Sequence, residues 1–367
     1  MTDRDEPSMP DPPGRPTGCP TTRSTGGTRA GGDVAVPFPP DHPRCRFGSV
    51  LLAPGTIAGL LDGDGSLSLF GRGEGERRRY VPKVAYSVRD DDPSPAWAAW
   101  SLAQLRGAPL GQVRHYASQR RLGWWVGSVP DIVALTGFLT RAPLLSPRGW
   151  RQFTAVREAA LLLADGRPRR SGTEPLHPAE IERLQELHAS IPRADGSIVV
   201  PLPLPAVFYA VDDRYLGAYL AGLVAAEGCF ELRSSGTHHY RLLFRLTQRI
   251  DNLALLEALR DRLGIGHLVD VAVTKGSPAA QWVVDDLRGV ERLSEILRSH
   301  PLPPGSPKER VFDPWTEAIA VRRHVRLTRP RGALRTDPDL GRLAAEIRAV
   351  RQYGGPWTCG ERDRIDG

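Results

Sequence analysis

Lysine is nearly missing from this chain: only Lys83, Lys275 and Lys308 stand among 49 basic residues in 367. The formal charge of +7 therefore rests on arginine, whose planar fork matches phosphate oxygens and guanine edges better than an ammonium does. A basic balance of this kind suits a polyanionic partner, although coding rich in Arg, Ala, Gly and Pro produces a similar composition. Cysteine is also sparse. Cys19, Cys45, Cys229 and Cys359 lie at neither zinc-ligand nor redox spacing, which argues against a disulfide framework and a structural metal and favours a reducing compartment. The nine histidines form no H-E-x-x-H pattern. Apolar runs fall short of the roughly 20 residues that span a bilayer, so no membrane partner is expected. The opening residues, with acids and prolines, lack the basic and apolar regions of a targeting peptide. An intracellular location follows, in an organelle or a bacterial cytoplasm.

What is present divides into five stretches. Residues 1–45 are Pro, Gly and Thr rich with little aromatic content and are expected to be disordered. Residues 46–160 alternate apolar helical segments with β-rich runs in the order α-β-β-α-β-β-α-α, and residues 213–325 repeat that order. Landmarks recur at nearly constant separation. Asp64 and Glu227 are 163 residues apart, Trp125 and Trp282 157, and "SPR" at Ser146 recurs 160 residues later as "SPK" at Ser306. Residues 161–212 read as a linker with one amphipathic helix near Pro178 to Ser190. Residues 326–367 form a tail with a short helical pattern near Leu340 to Arg351 and no evident chemistry. Strand runs of antiparallel type, bracketed by helices, indicate an α+β class. Trp125 and Trp282 are expected in the core.

The two repeats open on "IAGLLDGDG" (57–65) and "LAGLVAAEG" (220–228). Ala58, Gly59 and Gly63 in the first, and Ala221, Gly222, Ala225 and Ala226 in the second, remove the side-chain layer that normally separates helices. The two segments are therefore expected to pack on each other, each delivering an acid, Asp64 or Glu227, to its C-terminal end. A carboxylate there meets the negative end of the macrodipole and a second carboxylate. A divalent cation reverses the sign of that arrangement, and an all-oxygen site suits Mg²⁺ (or Mn²⁺) with its remaining positions left to water and phosphate.

Both segments, with the strand, helix and basic landmarks that follow them, resemble the LAGLIDADG homing endonucleases in their two-motif, single-chain form. The resemblance implies two pseudo-symmetric αββαββα domains whose antiparallel sheets form a DNA-binding saddle. It implies a monomeric site-specific endonuclease that hydrolyses phosphodiesters in double-stranded DNA with a divalent metal and mobilises its own intron. An intron RNA maturase or a non-cleaving DNA-binding protein on the same fold is the alternative, with intron RNA as partner. Carried over by position, Asp64 and Glu227 bind metal with backbone carbonyls of Gly63 and Ala226. The polar position at the end of the second strand falls on Gln248 in the second half and Arg89 in the first. The basic position before the late helix falls on Lys308 and Arg148. Ala225 replaces the first acid of the second motif, at a position that is mainly structural.

Counting in twos from the acids sets Ser66, Ser68, Phe70, Arg72 and Cys229, Glu231, Arg233, Ser235 on one face. Partner strands add Tyr80, Lys83, Tyr86, Arg241 and Arg245, and a third strand adds Arg114 and Tyr116. Arg114, Arg233, Arg241 and Arg245 are candidate guanine readers, and Arg77, Arg78 and Arg79 candidate phosphate contacts.

Overall fold

The structure, a computed structural model, describes residues 34–35, 51–72, 79–165, 176–191, 200–235, 239–271, 278–328 and 338–352. The first repeat runs α1 (Pro54–Asp64), β2 (Gly65–Arg72), β3 (Arg79–Arg89), α2 (Ser94–Arg106), β4 (Gln112–Tyr116), β5 (Arg121–Val126), α3 (Val129–Arg141) and α4 (Pro147–Asp165). After α5 (Pro178–Ser190) and the single turn α6 (Val207–Ala210), the order recurs. It runs α7 (Asp213–Glu227), β6 (Gly228–Ser235), β7 (His239–Arg249), α8 (Leu253–Leu263), β8 (His267–Val271), β9 (Ala279–Val284), α9 (Leu287–Ser299) and α10 (Pro307–Thr328), with α11 (Pro338–Gln352) closing the chain. The expected α+β architecture is therefore observed. Within the N-terminal stretch, β1 (Val34–Ala35) pairs with the outer edge of β4, opposite His115 and Arg114. Among the described residues no helix is long and apolar enough to cross a membrane.

Both sheets are antiparallel, ordered β1-β4-β5-β3-β2 and β6-β7-β9-β8. Strand alternation assigns their faces. In β3, Tyr80, Val84 and Tyr86 are buried, whereas Arg79 is exposed and Val81, Lys83 and Ala85 are half-buried. In β7, Leu242, Phe244 and Leu246 turn to the core, with Arg241 exposed on the other side. Phe230, Phe244, Phe312 and Trp315 pack together beneath the second sheet, with Phe230 and Trp315 centroids 5.0 Å apart.

Register corrects one landmark. Trp124 opposes Tyr86, and Trp282 opposes Leu246, one strand position each from the first residues of β2 and β6 by the same count. The true equivalent of Trp282 is thus Trp124. Both are buried, and both donate their indole N–H to a main-chain carbonyl, of Leu110 at 2.7 Å and Ile265 at 2.9 Å. Trp125, expected in the core, points from the opposite face and is half-buried. A slip of one residue in a strand exchanges its faces.

The repeats meet through α1 and α7, which approach backbone to backbone. A methyl placed on Gly59 would sit 2.7 Å from the amide nitrogen of Leu223, and one on Gly222 would sit 2.8 Å from that of Leu60. Gly55 and Gly63 continue this stripe on α1, with the Gly63 position directly against Ala226. At the far end, Gly65 and Gly228 turn the chain from helix into strand with extended backbone. A side chain on Gly65 would lie 2.8 Å from the main chain of Leu61, which explains the glycine that ends each motif.

Candidate active site

Asp64 and Glu227 are the last residues of α1 and α7. Loss of water around the cleft, then the negative charge of Asp92, pushes the Asp64 carboxyl up to about 6. The same loss of water, then the charge of Asp64, pushes Glu227 up to about 7. The two acids therefore repel one another, and Lys308 opposes the rise at both. Oxygen is the only donor type that the pair and the neighbouring main chain offer, a set suited to a hard divalent cation. Among the described residues no group of three or more His, Cys, Asp or Glu side chains is placed to hold a metal. A bound cation would thus rely on the two acids, main-chain carbonyls such as those of Gly63 and Ala226, water and phosphate. The side chain of Glu227 lies along Gly63, where a methyl would touch its Cγ at 3.4 Å.

Two clefts flank the acids. One is lined by Asp64, Ser87, Arg89, Arg121 and Lys308, and the other by Glu227, Thr247, Gln248, Arg249 and Arg148. Each cleft adds to the acid and arginines of one repeat a basic residue from the start of the other repeat's late helix. Lys308 therefore accompanies Asp64, and Arg148 accompanies Glu227, the reverse of an assignment by repeat. Lys308 donates to the carbonyl of Gly228, the first residue of β6 in its own repeat. The backbone N–H of Arg148 donates to Asn252 Oδ1 at 3.1 Å, and Asn252 Nδ2 donates to Gln248 Oε1 at 2.8 Å. Asn252, which nothing in the sequence singled out, thereby ties the basic residue of one repeat to the polar strand end of the other.

The start of each late helix explains the recurring Ser-Pro-basic triplet. Ser146 Oγ accepts from the amide of Gly149 at 2.9 Å, and Ser306 Oγ from that of Glu309 at 3.2 Å, so each serine caps a helix whose first residue is proline. A cation in the first turn opposes the macrodipole, so Arg148 and Lys308 are not placed there for helix stability. Burial and the charge of Arg249 depress the guanidinium of Arg148 below its ordinary range.

Register also reassigns the polar strand position. Arg89 and Arg249 are equivalent, and the residue equivalent to Gln248 is Val88. Arg89 instead forms a forked pair with Asp91, at 3.0 and 2.9 Å. The acid missing at Ala225 has a clear counterpart in Asp62. Its Oδ2 accepts from the amides of Leu145 and Ser146 at 2.8 and 2.7 Å and from the Tyr219 hydroxyl at 2.6 Å, and Ser146 Oγ donates to Oδ1. Asp62 is buried and anchors the entry to α4, leaving it no free oxygen for the clefts.

On the outward sheet faces, Ser66 is exposed, Ser68 is half-buried with its hydroxyl 3.4 Å from the Lys83 carbonyl, and Arg79 is exposed. Arg114 and Tyr116 share this face, Arg114 bonding Gln112 at 2.6 Å. Tyr86 does not: at 1% exposure it faces the core, one residue out of step with the outward set. Tyr80 is buried for the same reason. Arg233 and Arg245 both pair with Glu231, and Arg241 pairs with Asp285. Arg77 and Arg78 lie outside the described residues, as do the side chains of Arg72 and Ser235.

Residues 220–319 match the family model described as LAGLIDADG endonuclease. A comparison with curated proteins finds no match. Among solved structures, the LAGLIDADG homing endonuclease I-SmaMI bound to cleaved DNA aligns at 17% identity and a TM-score of 0.64, over 81% of this chain and 96% of that one. I-SmaMI bound to an uncleaved DNA target in the presence of calcium ions aligns at 18% identity and a TM-score of 0.63, over 82% and 99%. I-GzeII in complex with its DNA target aligns at 15% and 0.63, over 81% and 97%. At these identities the structural likeness is one of fold, and it spans both repeats, while the sequence match covers the second motif and the strands and helices behind it. Residues 220–319 are thus similar in sequence to the LAGLIDADG endonucleases, and the fold of the chain, with both motif repeats in one polypeptide, is that of the LAGLIDADG homing endonuclease structures.

Proposed function

We propose that the protein is a site-specific DNA endonuclease that cuts both strands of its target with divalent metal, Mg²⁺ in the cell, and acts as a monomer in the homing of its own intron. The observation that carries this reading is the delivery of Asp64 and Glu227, each held well above the ordinary carboxylate range, to the ends of two helices packed through glycine. One chain supplies both acids and both sheets, so a second copy is not needed. The solved structures that share this fold include complexes with cleaved and uncleaved DNA, which supports a duplex partner. A divalent cation would supply charge neutralisation at the scissile phosphate and a more acidic bound water.

The side chains divide the remaining work between the clefts. Lys308, beside Asp64, offers an ammonium that can hold phosphate charge or pass a proton. Arg148, beside Glu227, can hold phosphate charge but is a poor proton carrier because the guanidinium stays protonated. Gln248 presents an amide able to fix water near Glu227, whereas Val88 offers nothing comparable near Asp64. Each cleft thus has one of the two auxiliary groups.

The direct test uses DNA spanning the uninterrupted insertion locus, incubated with the purified protein and Mg²⁺. A staggered double-strand break is expected, and Glu227→Gln should retain binding while losing cleavage by at least about 100-fold. Full cleavage by that variant would remove the metal role given to Glu227. Tight binding of intron RNA with no cut would instead identify a maturase.

A further inference from the structure

The two outward sheet faces carry different chemistry at equivalent positions, and we infer that they read half-sites of different composition: guanines under the second repeat, thymine methyls of A·T pairs under the first. This rests on the endonuclease reading above and specifies its substrate.

Equivalent positions follow from register. Phe70 stands six residues beyond Asp64 and opposite Val81, whereas Arg233 stands six beyond Glu227 and opposite Arg241. Ser66 opposes Ala85, whereas Cys229 opposes Arg245. Three arginines in the second repeat thus correspond to Phe70, Val81 and Ala85 in the first. Phe70 is 48% exposed, so it is available to a groove rather than committed to the core. Lys83, between Val81 and Ala85 on this face, lies with its Nζ 3.9 Å from the centre of the Trp125 ring and 5.7 Å from that of Phe70, its charge directed over aromatic faces, while Arg79 and Arg114 stand outside these three positions.

The arginines are held for reading. Glu231 is buried, with its side chain 3% exposed, and takes Arg245 on one oxygen and Arg233 on the other. One acid between two guanidinium groups leaves positive charge and unused N–H donors facing outward. The side chains of Arg233 and Arg241 are 55% and 63% exposed. Guanidinium forks pair with guanine O6 and N7, and apolar side chains meet the thymine methyl. Glu231 is therefore a positioning residue, and its counterpart Ser68 holds nothing comparable.

Position follows from spacing. A strand advances about 3.3 Å per residue and duplex DNA about 3.4 Å per base pair, so along a groove one residue covers roughly one base pair. Arg245, level with Cys229, reaches about two base pairs from the cut, and Arg233 with Arg241 about six.

Selection of bound sequences from random duplex DNA tests this. The expected sites carry guanine at about two and six base pairs from the centre in one half only, with A·T pairs at the mirrored positions. Arg245→Ala should relax the inner guanine preference roughly 5- to 150-fold and leave the other half unchanged. Glu231→Gln should broaden both guanine positions without changing the other half. Phe70→Arg should create a guanine preference at about six base pairs in the first repeat's half. Recovered sites with the same base preference in both halves, or an Arg245→Ala effect on both, would overturn the inference while leaving the endonuclease reading intact. Recovery of no preferred site would overturn both.

Discussion

At the scale of single residues, the motif acids divide into one that builds and two that wait for a partner. Asp62 is satisfied by four donors and can be lost in the second repeat, at Ala225, because α10 enters through its own cap: Ser306 with Glu309, whose carboxylate accepts from the Gly305 amide at 2.6 Å. Asp64 and Glu227 have no such support. Their carboxyls, raised to about 6 and about 7, hold protons that the unfolded chain releases at ordinary carboxylate values. The folded state then binds more protons than the unfolded one over this window, so stability falls as pH rises from about 4 to about 7. A divalent cation held by the ionised pair would compete with those protons. Thermal melts with Mg²⁺ should therefore show little stabilisation at pH near 5 and a clear rise at pH near 8. Asp64→Asn with Glu227→Gln should reduce the fall with pH, to which buried Asp62 and Asp92 also contribute, and abolish the response to metal. Equal metal stabilisation at the two pH values would count against the acids as ligands.

At the scale of elements, the α1–α7 contact depends on the absence of side chains. Gly222→Ala places a methyl against the main chain of Thr56 and Leu60, which cannot rotate away, so the helices must separate. A loss of about 1–3 kcal/mol is expected from such overpacking, measured by urea unfolding. Gly137→Ala is the control: it lies in α3 with nothing within 4 Å of the added methyl, and should be neutral or stabilising by up to about 1 kcal/mol. This contact was legible in the sequence because small residues recur at helical spacing in both motifs. Order of elements was legible as well, since periodicity changes from 3.6 to 2 at the glycine after each acid. Register was not. Position along the chain pairs Gln248 with Arg89 and Trp282 with Trp125, whereas cross-strand pairing gives Val88 and Trp124, because neighbouring strand residues conceal a one-residue slip that only the partner strand resolves. Asp62 and Asn252 escaped notice for a different reason: their partners lie 83 and 104 residues away.

At the scale of the whole molecule, the junction exchanges basic residues between repeats, and that changes what asymmetry means. Grouped by repeat, the second half would own Gln248 and Lys308 and the first neither. Grouped by cleft, Asp64 has Lys308 without a glutamine, and Glu227 has Gln248 with Arg148. Neither cleft is complete, and each is incomplete in its own way. The two strands of the target should accordingly be cut at different rates, with a nicked duplex accumulating before the linear product. Lys308→Ala should slow mainly the strand served by Asp64, and Gln248→Ala mainly the strand served by Glu227, each by roughly 10- to 1,000-fold, as expected for loss of a proton-transfer or water-positioning group. Strand-specific end-labelling of a supercoiled or linear target separates the two rates. Lys308→Ala and Gln248→Ala slowing the same strand would show that the clefts work by repeat, and that the crossing of Lys308 to Asp64 has no part in the chemistry.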